Sequence, residues 1–408
     1  MTPIRVATIT FDWYPFDVLV RRVAEAAIDG GAEVDVICLR QPHEQSFEII
    51  NGVRAFRLPM DRGFGRSLPR TLLDWSVFLL QAGVKVAQLH RQCPYDIVHV
   101  HNMPDYLVFA ALLPKLAGAK VILEVQDTCP ELMAAKAKSN VKPVVTWLAR
   151  LQERLSTAFA DHVITVGPPF ERLLLQRGVP PEKMTIILNS ADPKIFPEAL
   201  QQHPRPRASD DEPFILMYHG TISERNGLDI AIRAVAIARH AVPTLRLDIQ
   251  GRGEHLPYLQ ELARKLDVAD RVVFTDSSPS EELVHFVVHG DIGIIPYRSD
   301  GFMDLVLPTK AYEFAWMRRP IIASDTPAIR SMFRPESIKF CRPEHPQEFA
   351  DAIISLYEHP EERARMVANA AEDYLPYQWE KMAQRYQHLL SALAENPLPE
   401  KRPLSIAR

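Results

Sequence analysis

The chain has 408 residues, 34 of them proline and only 16 glycine, with a formal net charge of −4. That length exceeds what a single hydrophobic core usually spans, so two domains are expected. A composition that is 47% hydrophobic and 24% charged excludes a disordered or collagen-like chain, and the slightly acidic balance excludes the basic field of a nucleic-acid binder.

From the start, Met1–Arg5 runs directly into a strand-like segment with no leader-like pattern. The greasiest stretches are interrupted by Asp74, Gln81 and Lys85, and by Pro114-Lys115, short of the ~20 apolar residues of a spanning helix. The four cysteines, Cys38, Cys93, Cys129 and Cys341, form no C-x-x-C pair and read as free thiols of a reducing compartment. A soluble cytoplasmic protein is expected.

Short apolar runs at Ile4–Ile9, Val34–Leu39, Asp96–His101, Val121–Val125, His162–Val166 and Thr185–Leu188 predict strands. Helical patterns lie between them at Asp17–Asp29, Pro104–Ala117 and Lys142–Ala158. Strands that are apolar on both faces suit a parallel sheet covered by helices. A polar, proline-rich stretch at Glu198–Glu212 reads as a linker. The alternation then restarts with strands at Ile215–His219, Leu245–Gln250, Val272–Phe274, Ile292–Ile295, Ile321–Ser324 and Ile338–Cys341. Helices follow at Pro360–Ala371 and Gln378–Leu393, and the last residues read as a disordered tail.

The expected fold class is therefore α/β, two doubly wound Rossmann-like domains facing a central cleft. The boundaries are an N-terminal domain over 1–198, a linker over 199–212 and a second domain over 213–375. A helix over 376–395 returns to the first domain, and a tail occupies 396–408.

Three segments carry chemistry. Gly251-Arg252-Gly253 follows a strand, but Leu256 stands where a dinucleotide fingerprint needs its third glycine, which argues against a nicotinamide enzyme. In Tyr218-His219-Gly220-Thr221-Ile222-Ser223-Glu224-Arg225-Asn226-Gly227 a strand meets a helix start, and Arg225 adds a bidentate cation suited to phosphate. In Leu307-Pro308-Thr309-Lys310-Ala311-Tyr312-Glu313 a lysine sits in a first helical turn, where the helix dipole disfavours it unless an anion is near. The plainer alternatives are a capped turn with a solvated Arg225 and a surface pair between Lys310 and Glu313.

Taken in order, these segments resemble the retaining nucleotide-sugar glycosyltransferases of family 4, glycosyl transferases group 1, which have the GT-B fold. The resemblance extends to DIVHVHNMPDYLVFAALL, ILEVQDTCPEL, GVPPEKMTIILNSADPKIF and YQWEKMAQRYQHLL, and so covers residues 4 to 395. It implies a sugar moved from a nucleoside-diphosphate donor to a glycan, lipid or small-molecule acceptor hydroxyl in glycan, glycolipid or polysaccharide biosynthesis. It also implies retention of configuration, with no metal or other cofactor. Arg225 and Lys310 would hold the diphosphate, Glu313 the ribose hydroxyls, and Gly220, Gly251, Gly253 and Thr275–Ser278 the nucleotide. His101, Asn102, Gln126 and Asp127 would face acceptor and transferred sugar, with His101, Gln126 and Asp127 as the catalytic set.

The sequence also departs from that family. Leu305, beside Asp304, replaces the first Glu of an E-x7-E pattern ending at Glu313; Gln126 replaces a common His; Asn226 replaces a common Lys. Glutamine neither donates nor accepts a proton near neutral pH as an acid or base. A noncatalytic GT-B partner protein and a sugar-nucleotide epimerase are therefore the alternatives. His99 and His101 are expected on opposite strand faces, and no tight histidine cluster is expected, which argues against zinc. The basic segment Arg62–Arg91 is expected to be a core-packed helix with a solvated face; its alternative is peripheral contact with an anionic inner-membrane surface. Lys136–Lys142 reads as a lid or an exposed turn.

Overall fold

The computed structural model describes residues 3–62, 68–136, 141–201, 211–277 and 282–395. Ser278, most of the expected linker, most of the Lys136–Lys142 loop and the tail from 396 lie outside the described residues. Two compact units divide the chain: Met1–Leu188 with Glu380–Arg408, and Asn189–Trp379. The crossing comes at Leu188 rather than at residue 198, because residues 190–196 are tied into the second unit. The Tyr374 hydroxyl accepts from Ala191 N–H at 2.9 Å, and Trp316 Nε1 donates to Phe196 O at 2.7 Å.

The first unit is built on an eight-stranded sheet. Its strands are β1 (Arg5–Trp13), β2 (Glu33–Leu39), β3 (Phe47–Ile50), β4 (Val53–Leu58), β5 (Ile97–His101), β6 (Lys120–Val125), β7 (His162–Thr165) and β8 (Met184–Ile186). The order is β3-β4-β2-β1-β5-β6-β7-β8, and only β3 with β4 is antiparallel. That edge hairpin was not among the expected strands. Its signal was the Asn51-Gly52 turn, where φ is 51° and 83°, the left-handed pair that a two-residue hairpin requires.

Expected helix Pro104–Ala117 is instead a 3-10 segment, Asp105–Ala111, followed by a short α-helix, Leu112–Leu116. Pro114 has no N–H to continue an α ladder through this stretch. Helix Leu68–Gln92 buries Trp75, Phe78, Ala82 and Val86 against β1 and β5 residues such as Phe11, Val98 and Val100. The chain re-enters this unit on helix Trp379–Glu395. There Gln387 Nε2 donates to Ala26 O at 2.8 Å, and Arg385 Nη1 donates to Ile186 O at 3.0 Å.

The second unit holds a six-stranded, wholly parallel sheet. Its strands are β9 (Phe214–His219), β10 (Leu245–Gln250), β11 (Val272–Thr275), β12 (Ile292–Ile295), β13 (Ile321–Ser324) and β14 (Lys339–Cys341). The order is β11-β10-β9-β12-β13-β14. The winding direction reverses at β9 and β12, and in the first unit at β1 and β5. In doubly wound sheets, ligands settle beyond the carboxyl ends of the strands at such switch points. Helix Thr309–Trp316 follows β12 and ends at Arg318, whose φ of 58° puts a long cationic side chain where glycine is the usual residue.

Candidate active site

In the second unit the turns after β9 and β10 pack backbone on backbone. A Cβ on Gly251 would stand 1.9 Å from Gly220 O, and one on Gly253 would stand 2.0 Å from Ile222 O. Gly220 has φ 118°, and Gly227, which opens helix Leu228–Ala238, has φ 65°. A side chain at Gly227, Gly251 or Gly253 would have to move a neighbouring backbone, whereas at Gly220 only the left-handed φ favours glycine. Beside them opens a pocket of about 340 Å³, lined by His219, Gly220, Thr221, Gln250, Gly251, Arg252, Ser277 and Leu283.

Lys310, in the first turn of helix Thr309–Trp316, is buried behind Gly220, a residue of the pocket wall, and does not itself line the pocket. Its Nζ would lie 3.6 Å from a Cβ at Gly220, an ordinary contact distance that places the ammonium directly beside this turn. Nζ donates to Tyr297 Oη at 2.8 Å and lies 4.7 Å from the centre of the Tyr218 ring. Burial works against the charge. The oxygens of Tyr218, Tyr297 and Glu313 outweigh that burial and hold the lysine pKa above its ordinary value. Glu313 Oε2 is 3.0 Å from His219 Nε2, a partner that nothing in the sequence motif had marked.

Arg225 is half buried in the 3-10 turn Glu224–Asn226, with its guanidinium carbon 5.5 Å from the Phe302 ring centre. It is not part of the pocket wall, and neither is Gly253. Asn226 closes a capping box: its Oδ1 accepts from Ser223 Oγ at 2.6 Å and from Ser223 N–H at 3.3 Å. The substitution of Lys by Asn there thus trades a cation for a local cap. Asp304 accepts from Ser299 Oγ at 2.8 Å, and Leu305 beside it is half buried.

The first unit gathers the other expected residues at the ends of β5 and β6. His99 and His101 are two apart on a strand and therefore share one face. Their rings are 4.3 Å apart, which corrects the expectation of opposite faces. Register sets His101 opposite Glu124 on β6. Glu124 Oε2 lies 3.0 Å from His99 Nε2 and 3.4 Å from His101 Nδ1, and all three side chains are buried. A tight His–His–Glu cluster therefore exists where none was expected, and its ligand atoms lie within 4.8 Å of one another, close enough to share one ion. Two of the contacts are also ordinary hydrogen-bonding separations between imidazole and carboxylate.

Around this cluster the polar groups interlock. His99 Nδ1 is 2.8 Å from Tyr386 Oη, contributed by the returning helix. Gln126 Nε2 donates to Glu124 Oε1 at 3.0 Å and lies 3.2 Å from His101 Nδ1. Asn102 Oδ1 accepts from Gln126 N–H at 2.8 Å, while its Nδ2 donates to Asp127 O at 2.7 Å and to Asp105 Oδ1 at 2.8 Å. Burial, with His101 beside it, lowers the His99 pKa to about 4 against the pull of Glu124. Glu124 is held well below the carboxylate range by the two imidazoles, although burial opposes this. Burial raises Asp105 to about 6.

The structure places His101, Asn102, Gln126 and Asp127 side by side, joined by Glu124 and Tyr386, which the sequence reading did not single out. The spacing of two between His99 and His101 was the available signal for the cluster.

Residues 17–190 match the profile of the glycosyl transferase 4-like domain, and residues 201–373 match that of glycosyl transferases group 1. The chain belongs to the group 1 glycosyltransferases. An uncharacterized glycosyltransferase of Methanocaldococcus jannaschii is 24% identical to it over 400 residues, covering 93% of this chain and 96% of that one. A D-inositol 3-phosphate glycosyltransferase of Thermomonospora curvata is 22% identical, covering 93% and 94%. Among solved structures, sucrose-phosphate synthase from Thermosynechococcus elongatus has a TM-score of 0.73 at 19% identity over 95% of this glycosyltransferase and 100% of that chain. Anabaena HepE in complex with UDP-glucose has a TM-score of 0.68 at 14% identity over 95% and 100%. The fold of this glycosyltransferase is accordingly GT-B. Lys310 follows β12, one of the two strands at the switch point of the second sheet.

Proposed function

We propose that this glycosyltransferase takes a nucleoside-diphosphate sugar in its second unit and transfers the sugar, with retention, to an acceptor hydroxyl. The observation that carries the reading is the buried Lys310 ammonium beside the Gly220 turn, whose Gly220 and Thr221 line the 340 Å³ pocket. A preorganised cation in a low-dielectric site stabilises charge that develops on a departing diphosphate more than it stabilises the bound donor. Arg225 supplies the second cation once the diphosphate spans from the pocket to its turn. Glu313, oriented by His219, accepts from the ribose hydroxyls. This division of labour needs neither a metal nor another cofactor. Same-face attack assisted by the leaving phosphate needs no protein nucleophile, which suits a chain with Gln126 where a histidine is common. His101, Gln126 and Asp127 are assigned to the acceptor side. The acceptor is a glycan, a glycolipid or a small molecule, and the reaction is placed in the cytoplasm.

The test is a panel of nucleoside diphosphates scored by melting temperature. The wild type is expected to shift with one of them, and Lys310→Met to lose the shift while melting cooperatively. Removing one such donor from a preorganised site costs ~3 kcal/mol, about a hundredfold in affinity or rate. No shift with any diphosphate overturns the reading. Product analysis with the matching sugar nucleotide, with and without acceptors, then separates transfer from epimerisation and from a noncatalytic partner.

A further inference from the structure

Two cations carry the donor reading, Lys310 and Arg225, and one short segment after β12 touches both. Tyr297 Oη accepts from Lys310 Nζ at 2.8 Å. The next residue, Arg298, donates its backbone N–H to Arg225 O at 3.0 Å. Pro296, just before Tyr297, packs on the turn that carries Arg225, so closely that a Cβ at Gly227 would stand 1.9 Å from Pro296 O. Further along the same segment, the Phe302 ring lies against the Arg225 guanidinium.

The Arg298 side chain adds to this grip. Its Nε donates to Glu224 O at 3.1 Å, and its Nη2 donates to both carboxylate oxygens of Asp229, at 3.0 and 2.8 Å. Its Nη1 donates to Glu344, from the loop after β14. The three nitrogens thus meet three elements: the 3-10 turn Glu224–Asn226, the first turn of helix Leu228–Ala238, and that loop. Paired with two acids, this guanidinium is not a third phosphate cation. The Arg225 guanidinium, by contrast, has no ion pair among the described residues. A three-residue 3-10 turn holds its own shape weakly. Here two of its carbonyls, those of Glu224 and Arg225, are bound by Arg298.

We propose that Arg298 is a positioning residue for diphosphate recognition. Through the Tyr297–Arg298 step it sets the spacing between Arg225 and Lys310, so that the two cations fit a diphosphate rather than a single phosphate. This rests on the donor reading and adds to it the residue on which diphosphate selectivity depends. The two cations come from different loops, and a pair spaced before the ligand arrives loses little freedom on binding. A second role for Arg298 is conceivable on charge alone, as the neutraliser of Asp229 beside incoming phosphates. The two roles predict opposite effects of Asp229→Asn. Removing an acid near an anion tightens diphosphate binding, whereas removing the bidentate anchor of Arg298 weakens it.

The experiment is calorimetric titration of the full chain with the nucleoside diphosphate that stabilises it and with the matching monophosphate. The ratio of the two dissociation constants isolates the grip on the second phosphate, and a general loss of structure moves both constants together. Arg225→Met is expected to cut the wild-type preference for diphosphate about tenfold, the worth of one charge-assisted hydrogen bond. Arg298→Met and Asp229→Asn are expected to cut it by a similar factor while monophosphate affinity stays within about twofold. Adding Arg298→Met to Arg225→Met should cut it no further, and Arg298→Lys should not restore it, since lysine lacks the planar fork. If Arg298→Met does not fold, Arg298→Lys and Asp229→Asn carry the same test. A wild type that binds no nucleoside diphosphate overturns the donor reading and this inference with it. A preference that survives Arg225→Met removes Arg225 from the site, with the same consequence. Four results overturn this inference alone: Arg298→Met behaving as wild type, an equal loss of both nucleotides, full preference in Arg298→Lys, and unchanged or tighter diphosphate binding by Asp229→Asn.

Discussion

The two sheets reverse their winding in the same way, yet the ends of their strands are finished by different means. After β9 and β10 the second unit uses glycine backbone, and the turns leave an open pocket with a buried lysine behind Gly220. After β5 and β6 the first unit uses side chains, and His99, His101, Glu124 and Asn102 fill the space by bonding to one another. Backbone turns place N–H groups and cations around a ligand that is absent when the chain folds. A filled polar cluster instead fixes the positions of Gln126 and Asp127 before any ligand arrives. The difference predicts that damage to the first unit's strand ends is read mainly in stability, and damage to the second unit's mainly in donor binding.

Removing the cluster's carboxylate is the most severe way to test this. Glu124→Ala strips both imidazoles and Gln126 of their common partner. Leaving buried hydrogen-bonding groups without their shared acceptor costs ~1–3 kcal/mol for each. Urea denaturation should show that loss, while any nucleotide shift still seen below the new midpoint should keep its wild-type dependence on concentration. An equal loss of donor affinity would end the distinction between the two regions.

The same cluster predicts a pH window. His99 has a folded pKa of about 4 against 6.5 for an unperturbed imidazole, because burial and His101 outweigh Glu124. The unfolded chain therefore takes up the proton first, and this contribution to stability is lost as pH falls from 6.5 to about 4, then stays flat. Glu153, raised by burial to about 7, works in the opposite direction over part of this range, so the wild-type curve alone does not isolate the histidine. The difference in unfolding free energy between wild type and His99→Gln should shrink across the window by ~3 kcal/mol at most. A difference that stays constant from neutral pH to pH 4 removes His99 as the titrating group.

In the second unit, Gly253→Ala is the corresponding test. Its Cβ would stand 2.0 Å from Ile222 O, and a backbone oxygen cannot swing aside as a side-chain end does. The turns after β9 and β10 must separate, at ~1–3 kcal/mol. Donor affinity should fall by more than stability does, because the moved turns form the pocket wall; equal losses would make these glycines merely structural.

How far the sequence carried follows the same division. Strand–helix alternation identified both sheets, since a parallel strand buried on both faces is an unbroken apolar run, as in Ile292–Ile295. Gly251 and Gly253 were recognisable because a strand followed by closely spaced glycines is a local pattern. Glu124 and Tyr386 were not, because what makes them part of the cluster is contact with His99, from the next strand and from a helix 287 residues away. Helix Lys142–Phe159 shows the same limit, since its periodicity marks a face but does not say that Trp147 faces solvent.

Arg318→Gly is the smallest expected effect. Arg318 closes helix Thr309–Trp316 with φ 58°, a conformation that costs a side-chain-bearing residue ~1–2 kcal/mol. Glycine removes that cost but brings a more flexible unfolded chain, which returns ~0.5–1 kcal/mol of it. A net gain of roughly 0.5–1 kcal/mol should raise the melting temperature by about 1–4 °C for a unit of this size. Asn51 makes the control in the first unit. It has φ 51°, but asparagine tolerates this region, and its Nδ2 donates to Glu25 Oε1 at 2.9 Å. Asn51→Gly should therefore give no gain. If Arg318→Gly is also neutral, the half-buried arginine stem is packing well enough to offset its backbone, and the end of the Lys310 helix is not a strained point.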